Sequence, residues 1–413
     1  MNRKIVLYII FIGLLTFNTR NAGGTPSRVM GWEEIKQEVM ENNVSIEQAK
    51  KTLESARMNH RKTFTAFTPE FSVRAAHTES SPSRVEPFDY GIYGDIRLFP
   101  GLKITDEIKL SRTRLELQKN RYENTLAQVL AGARRAFGDL LIAQQNISLY
   151  EHIYNRREHN LELVSLRYEA GREDKGTYLR SGADLKQARF DLEKADRDLK
   201  TKQRELLNIM GTTGRENIRV EGTFEVPVVE FALEEEIIEN LDYKAAKYRL
   251  ESARYRVSIN KKNFLPDINL TAGFSWTGTD WPPDNARRVG VNFSFPFFSG
   301  GKNIIDKKTS DIDREIAVLE LWETEVEVRN RLENAYNNFT DAVGNMEIRK
   351  AYMEALKVRV EVATEKYRNG LISFYEWDSV ENEYITARSR LQEAGYRTFI
   401  AWAELMRTMG KTE

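Results

Sequence analysis

This 413-residue chain contains no cysteine. That excludes disulfides, thiolate metal sites, cysteine nucleophiles and lipid attachment through an N-terminal cysteine. Histidine is almost missing too, with four residues. His152 and His159 stand seven apart, whereas a helical ligand pair wants a spacing of about three or four, so no metal and no other cofactor is expected. Proline (10) and glycine (24) are scarce, while charged residues make up 30%; that mixture favours long helices with wet faces. Neither sign of charge prevails, with 62 Lys and Arg against 62 Asp and Glu, so there is no electrostatic footprint for nucleic acid. Gly-x-Ser-x-Gly nucleophile elbows and phosphate-cradling glycine loops are absent. Carboxylate pairs are common, but on charged helices they are ordinarily solvated faces or i, i+4 ion pairs. No enzyme is expected. Beyond residue 24 there is no long apolar run, hence no expected transmembrane helix.

The N-terminus reads as an export signal. Asn2-Arg3-Lys4 is a basic start, Ile5 to Phe17 an apolar core, and Ala22-Gly23-Gly24 a small-residue cleavage site. Residues 1–24 are expected to be removed on export; the alternative is a retained anchor.

The rest of the chain carries one layout twice. Leu53-Glu54-Ser55-Ala56-Arg57 returns as Leu250-Glu251-Ser252-Ala253-Arg254, 197 residues on. Twelve residues after each serine begins a Phe-x-Pro step, Phe67-Thr68-Pro69 and Phe264-Leu265-Pro266. Leu98-Phe99-Pro100-Gly101 matches Phe297-Phe298-Ser299-Gly300, Tyr168-Glu169-Ala170-Gly171 matches Tyr367-Arg368-Asn369-Gly370, and Met210-Gly211 matches Met409-Gly410, each 199 residues on. A unit this long is a duplicated half-molecule, not a short solenoid repeat.

Each half reads as helix, strand, strand, very long helix, turn, return helix. The first repeat covers 25–211. Its opening helix runs from Trp32 to about Phe64, Pro69 ends it, strands follow at about 69–79 and 89–99, and helices at 103–170 and 177–210. A linker is expected at 212–235. The second repeat covers 236–410, with strands at about 267–277 and 288–298 and helices at 302–369 and 373–409. Ile268, Leu270, Ala272, Phe274 and Trp276 share one face of a strand, and Val289, Val291, Phe293, Phe295 and Phe297 share one face of the next. Asn269, Thr271, Gly273 and Ser275 share the opposite face.

Such alternation suits a soluble hairpin packed on a core, and equally a transmembrane β-barrel strand of ~9–11 residues. The export signal and the aromatics near strand ends (Phe88, Tyr90, Phe99, Trp276, Trp281, Phe297 and Phe298) favour the barrel. Leu270, Phe274, Val291 and Phe293 would then face lipid. Four strands cannot close a barrel, because the smallest have about eight, and an open edge is not viable in hydrocarbon. Several chains must share one barrel; three would supply twelve strands. The long helices carry heptad seams, one through Ile108, Leu115, Tyr122, Val129, Ala136, Ala143 and Tyr150 and a second through Leu126, Ala133, Leu140, Ile147, Tyr154, Leu161 and Tyr168. Sustained apolar heptads indicate coiled-coil packing. Gly171 and Gly370 mark the helix stops.

The duplicated Phe-x-Pro strand entries, the Phe297-Phe298-Ser299-Gly300-Gly301 strand exit, the Tyr-x-x-Gly turns continuing as Tyr367-Arg368-Asn369-Gly370-Leu371-Ile372-Ser373, and the return helix ending Met409-Gly410 together make the chain similar to the TolC-type outer-membrane efflux proteins. The resemblance covers nearly the whole mature chain. It implies a mainly helical homotrimer with a 12-strand transmembrane barrel and a long hollow α-barrel, in the outer membrane of a Gram-negative bacterium. It implies a passive exit duct of a tripartite efflux or type I secretion system, docked through a periplasmic adaptor (membrane fusion protein) to an inner-membrane pump. It also implies that Tyr168, Gly171, Arg172, Tyr367, Gly370 and Leu371 meet the adaptor, and that acidic residues after the second turn form a periplasmic gate, here Glu376, Asp378 and Ser379. Ala170-Gly171-Arg172 departs from the family's Val-Gly-Leu. Ser379 stands where a second acid is expected, with Asp378 one residue earlier. Glu376 and Asp378 also suit a helix N-terminus without any gate. The alternative to a channel is a periplasmic or secreted coiled-coil scaffold or adaptor without a pore.

Overall fold

The computed structural model describes residues 28–77, 88–100, 102–212, 217–278 and 284–411. The export signal and Trp281 lie outside them, as do the side chains of Phe88 and Phe99.

The opening helix is two helices, α1 (Trp32–Asn42) and α2 (Val44–Phe64). Asn43 separates them with an extended backbone, φ −70° and ψ 124°. Its Oδ1 accepts from the backbone N–H of Ser45 (2.9 Å) and Ile46 (3.3 Å), capping α2, while its Nδ2 donates to the Ile209 carbonyl 2.8 Å away. Apolar spacing runs unbroken through this point, so periodicity alone reads one helix. The second repeat uses the same device. Asn240 separates α5 (Leu233–Glu239) from α6 (Leu241–Lys262), accepts from Asp242 and Tyr243, and donates to the Thr408 carbonyl at 2.8 Å. One side chain thus starts a helix and ties it to the end of the return helix.

Two three-residue strands escaped the sequence pattern because they are too short to show an alternation. β1 (Arg28–Met30) pairs in parallel with β4 (Ile218–Val220), which lies inside the stretch read as linker. The Gln144 side-chain amide pairs with this ribbon, donating to the Val220 carbonyl and accepting from its N–H, both at 2.8 Å.

The main sheet orders β2 (Glu70–His77), β3 (Phe88–Pro100), β5 (Asp267–Gly278) and β6 (Asp284–Ser294) as β2-β3-β5-β6, all antiparallel. β2 and β6 are its free edges. The last strand starts four residues earlier than its alternation implied and ends before Phe295. Phe295 and Phe297 therefore leave the strand face on which the sequence set them. A bulge between Arg97 and Phe99 also takes Leu98 out of the ladder.

From the sheet run α3 (Lys103–Glu169) and α7 (Lys302–Arg368), 67 residues each and so about 100 Å long at 1.5 Å per residue. Their entries differ. Gly301 turns into α7 with φ 83°, whereas Leu102 enters α3 with φ 58°, a left-handed conformation that strains a branched residue. The return helices α4 (Lys175–Ile209) and α8 (Phe374–Met409) are about half as long, and α2 and α6 pack against the other half of each long helix. Two apolar clusters lie at the middle. One joins α1, β1, β4 and the α4 end to Phe137 and Leu140 of α3; the other joins α5 and the α8 end to Val328, Leu332 and Phe339 of α7. The most buried heptad line on α3 is not one of the two apolar seams. It runs through Asp106, Thr113, Asn120, Ala127, Arg134 and Leu141. Of these, Asp106 accepts from Lys262 and Ser258 of α6, and Arg134 lies over the rings of Trp32 and Trp402. No described helix is long and apolar enough to cross a membrane.

Candidate functional site

The two helix turns stand together at the end of the molecule remote from the sheet, built alike. At the end of α3, Gly171 has φ 70°, its N–H donates to the Tyr168 carbonyl (2.9 Å), and the Arg172 N–H donates to the Arg167 carbonyl (2.8 Å). At the end of α7, Gly370 has φ 75°, with Gly370 N–H to Tyr367 and Leu371 N–H to Lys366, both 2.9 Å. These are Schellman stops, which require the positive φ that glycine adopts freely. Asp174 then caps α4 through the Thr177 N–H at 3.0 Å. Ser373 caps α8, and Glu376 completes the capping box by accepting from the Ser373 N–H at 3.1 Å.

The repeats part company in their tyrosines. Tyr168 is exposed and stacks on Tyr178 at 5.3 Å between ring centroids. Tyr367 is wholly buried, stacked on Trp377 at 4.6 Å with Arg167 over its other face at 4.5 Å. Its hydroxyl donates to Glu173 at 3.2 Å, and burial together with the Glu173 charge pushes its pKa up to about 12. Tyr367 thereby joins the second turn to the first, while Gly171, Arg172, Gly370 and Leu371 remain exposed.

Glu376 and Ser379 are exposed; Asp378 is not. Its carboxylate accepts from Arg157 (3.1 Å) and Arg180 (3.0 Å), bridging α3, α4 and α8. Beside it Glu381, 1% exposed, takes both Nε and Nη2 of Arg156 at 2.9 and 2.6 Å and also accepts from Asn160. Sequence reasoning missed Arg156, Arg157, Arg180 and Glu381. A signal was there: Phe374, Trp377, Asp378 and Glu381 follow the i, i+3, i+4, i+7 spacing of a buried helix face, so two acids occupy core positions. Next to this cluster an open groove of about 1000 Å³ runs between α7 and α8, edged by Tyr352, Tyr375, Ser379 and Arg390.

The strand register brings Leu270, Phe274, Val291 and Phe293 onto one face, with Phe71, Val73 and Ile92. The opposite face is polar. There Arg74 pairs with Asp95 at 3.7 Å and lies over the Tyr93 ring, and that ring covers Gly273 so closely that an added Cβ would stand 2.8 Å from it. Among the described residues nothing covers the apolar face: Phe71, Val73, Val291 and Phe293 are all more than 60% exposed. A second bare stripe lies on α7, where Ile305, Ile312, Leu319 and Val326 follow each other every seven residues and are all exposed. Among the described residues, no group of three or more His, Asp or Glu side chains is arranged to hold a metal.

Comparison with known proteins gives this geometry a context. The family described as outer membrane efflux protein matches residues 35–212 and 232–411, one match per repeat. The alkaline protease secretion protein AprF of Pseudomonas aeruginosa is 23% identical over 177 residues, 41% of this chain and 36% of AprF. An uncharacterized Haemophilus influenzae protein is 26% identical over 38% of the chain and 35% of its own length, so the matched stretch spans about a third of these curated relatives. The fold is that of the Vibrio cholerae outer membrane protein VceC (TM-score 0.81, 16% identity, 92% of this chain and 97% of VceC) and of the Neisseria gonorrhoeae MtrE outer membrane channel (TM-score 0.82, 14% identity, 92% and 89%).

Proposed function

Because the chain belongs to the outer membrane efflux protein family, we propose that three copies form a passive exit duct through the outer membrane of a Gram-negative bacterium. The duct would serve a tripartite efflux or type I secretion system. The observation that carries this reading is the four-stranded sheet, with one apolar face uncovered, one polar face, and two free edges. Such a sheet is not viable in lipid unless its edges are paired. Three copies supply twelve strands and close it, polar face inward around water. The α7 stripe of Ile305, Ile312, Leu319 and Val326 then packs on the neighbouring copy and continues the ring as a helical barrel.

At the far tip, the adaptor of the inner-membrane pump would meet the exposed turn residues Tyr168, Gly171, Arg172, Gly370 and Leu371. Tyr367 contributes by fixing the second turn from beneath. The gate belongs at Glu376, Asp378 and Ser379. Three copies of Glu376 make a negative ring that favours cations, and Asp378 supports it through Arg157 and Arg180. Residues 1–24 direct export and are cleaved, and the mature chain carries no lipid anchor.

The test is the native mass of the mature protein extracted from outer membranes in detergent. A trimer that needs detergent is expected. A monomer or dimer that stays soluble without detergent refutes the duct and leaves a pore-free scaffold.

A further inference from the structure

Among the described residues, one charged side chain breaks the pattern of the sheet's apolar face. By register, Phe71, Ile96, Leu270, Val289, Val291 and Phe293 fill its half nearer the helices. Toward the far end, Arg287 takes the position opposite Phe274, and its guanidinium lies over that ring, 5.8 Å from the centroid. Phe274 meets Trp276 edge-on at 4.5 Å, and Trp276 stacks on Tyr90 at 5.4 Å. Arg287 therefore ends a continuous strip of three aromatic rings. The ring pair Tyr90–Trp276 is the amphipathic kind that settles at a membrane–water interface. Arg287 stands one row below it, two strand residues or about 7 Å, a distance a long arginine side chain spans by snorkelling.

We infer that Arg287 binds the phosphate of an outer-leaflet glycolipid. Counter-charge is the argument. No described residue on this face is acidic, and Arg287 has no carboxylate partner among the described residues. The neighbouring copy cannot supply one from its β2, which brings Phe71, Val73, Ala75 and His77 to the same face. On the polar face, by contrast, Arg74 has Asp95. A cation next to hydrocarbon needs an anion, and in the outer leaflet that anion is a lipid phosphate. The planar guanidinium fork donates to two phosphate oxygens at once, with the glycolipid's acyl chains lying on Val289, Val291 and Phe293.

The inference rests on the barrel reading of the sheet, and the two fail differently. The test takes the detergent-extracted trimer, titrates it with bisphosphorylated lipid A, and counts bound lipid by native mass spectrometry. Arg287→Gln is expected to bind about tenfold more weakly than wild type, the size of one charge-assisted contact, with Arg287→Lys between the two. Arg288→Gln, on the polar face, leaves binding unchanged. Lipid A stripped of phosphate binds wild type no better than Arg287→Gln binds the phosphorylated form. Equal binding by wild type and Arg287→Gln, equal loss in Arg288→Gln, or displacement of lipid A by inorganic phosphate at equal concentration overturns the lipid site. A wild-type chain that forms no trimer sinks the barrel itself.

Discussion

Replacing Leu319 tests the helical half of the ring without touching the membrane. Leu319 is 66% exposed in the single chain, at the centre of the stripe formed with Ile305, Ile312 and Val326. Full burial of a leucine side chain contributes about 1.5–3 kcal/mol. Covering the exposed two thirds is therefore worth about 1–2 kcal/mol per copy, or about 3–6 kcal/mol over three copies. Leu319→Ala should lose most of that, weakening the trimer by two to four orders of magnitude at about 1.4 kcal/mol per factor of ten. Leu319→Asp should go further, because an unpaired carboxylate would be buried at each interface. The assay is light-scattering mass in mild detergent against protein concentration, together with the temperature at which the trimer band gives way on an unheated-to-heated gel series. Glu320→Ala, one residue along on a different helix face, serves as the control. If Leu319→Asp dissociates and melts like wild type, the stripe is not an interface and the hollow helical barrel is wrong.

Arginine at Leu270 or Phe293 should cost about 2–4 kcal/mol near the bilayer midplane and block outer-membrane assembly, measured by protease protection in cells, whereas Asn292→Arg on the polar face should assemble. Asn240→Ala removes a helix cap worth about 1 kcal/mol and a buried hydrogen bond to the Thr408 carbonyl worth about another; Asn240→Ser keeps a capping oxygen without a buried charge and should lose about half as much melting stability. Burial works to raise the Asp106 pKa, but hydrogen bonds from Lys262 and Ser258 and the charges of Lys262 and Lys109 hold it below the ordinary 3.8. The stability it contributes is thus full above pH 3.8 and lost as pH falls through the lower folded value, so the melting advantage of wild type over Asp106→Asn should be constant near neutrality and vanish in acid. Glu381→Gln leaves Arg156 without its buried counter-charge, while Arg157 keeps Asp378, and should cost about 3–5 kcal/mol; Arg156→Met with Glu381→Leu should recover much of it, both read by thermal melting.

Where a signal repeats over many residues, the sequence told the fold. Twelve-residue alternation in β5 and 67 residues without proline in α3 and α7 leave little choice of element, and the doubled anchors set their order. Short elements carry no such signal: β1 and β4 have three residues each and depend on the Gln144 side chain for part of their pairing. The Asn43 and Asn240 breaks were hidden for another reason. Their cap is a single side-chain oxygen, and the apolar period runs straight through them. The buried line on α3 was misread because periodicity counts apolar residues, whereas close helix approach selects small ones such as Thr113 and Ala127.

The tip shows why site residues are harder to read than elements. Ser373 and Glu376 form a local pattern, S-x-x-E, and their roles follow from four residues of sequence. Asp378 and Glu381 mean nothing until α3 is laid beside α8, since their partners Arg156 and Arg157 lie more than 220 residues away. Their chemistry then suggests what an apolar pair could not provide. Two long antiparallel helices with heptad faces can slide by one repeat and still bury leucine on leucine. A guanidinium held by two bonds on one carboxylate fits a single register, and a slip leaves the two buried carboxylates, Asp378 and Glu381, unpaired. On this reasoning the cluster fixes alignment between the two hairpins more than it adds to their stability. The Arg156→Met, Glu381→Leu pair separates those roles: if the doubly changed protein melts like wild type and its tip still resists protease equally, the charges do not set the register.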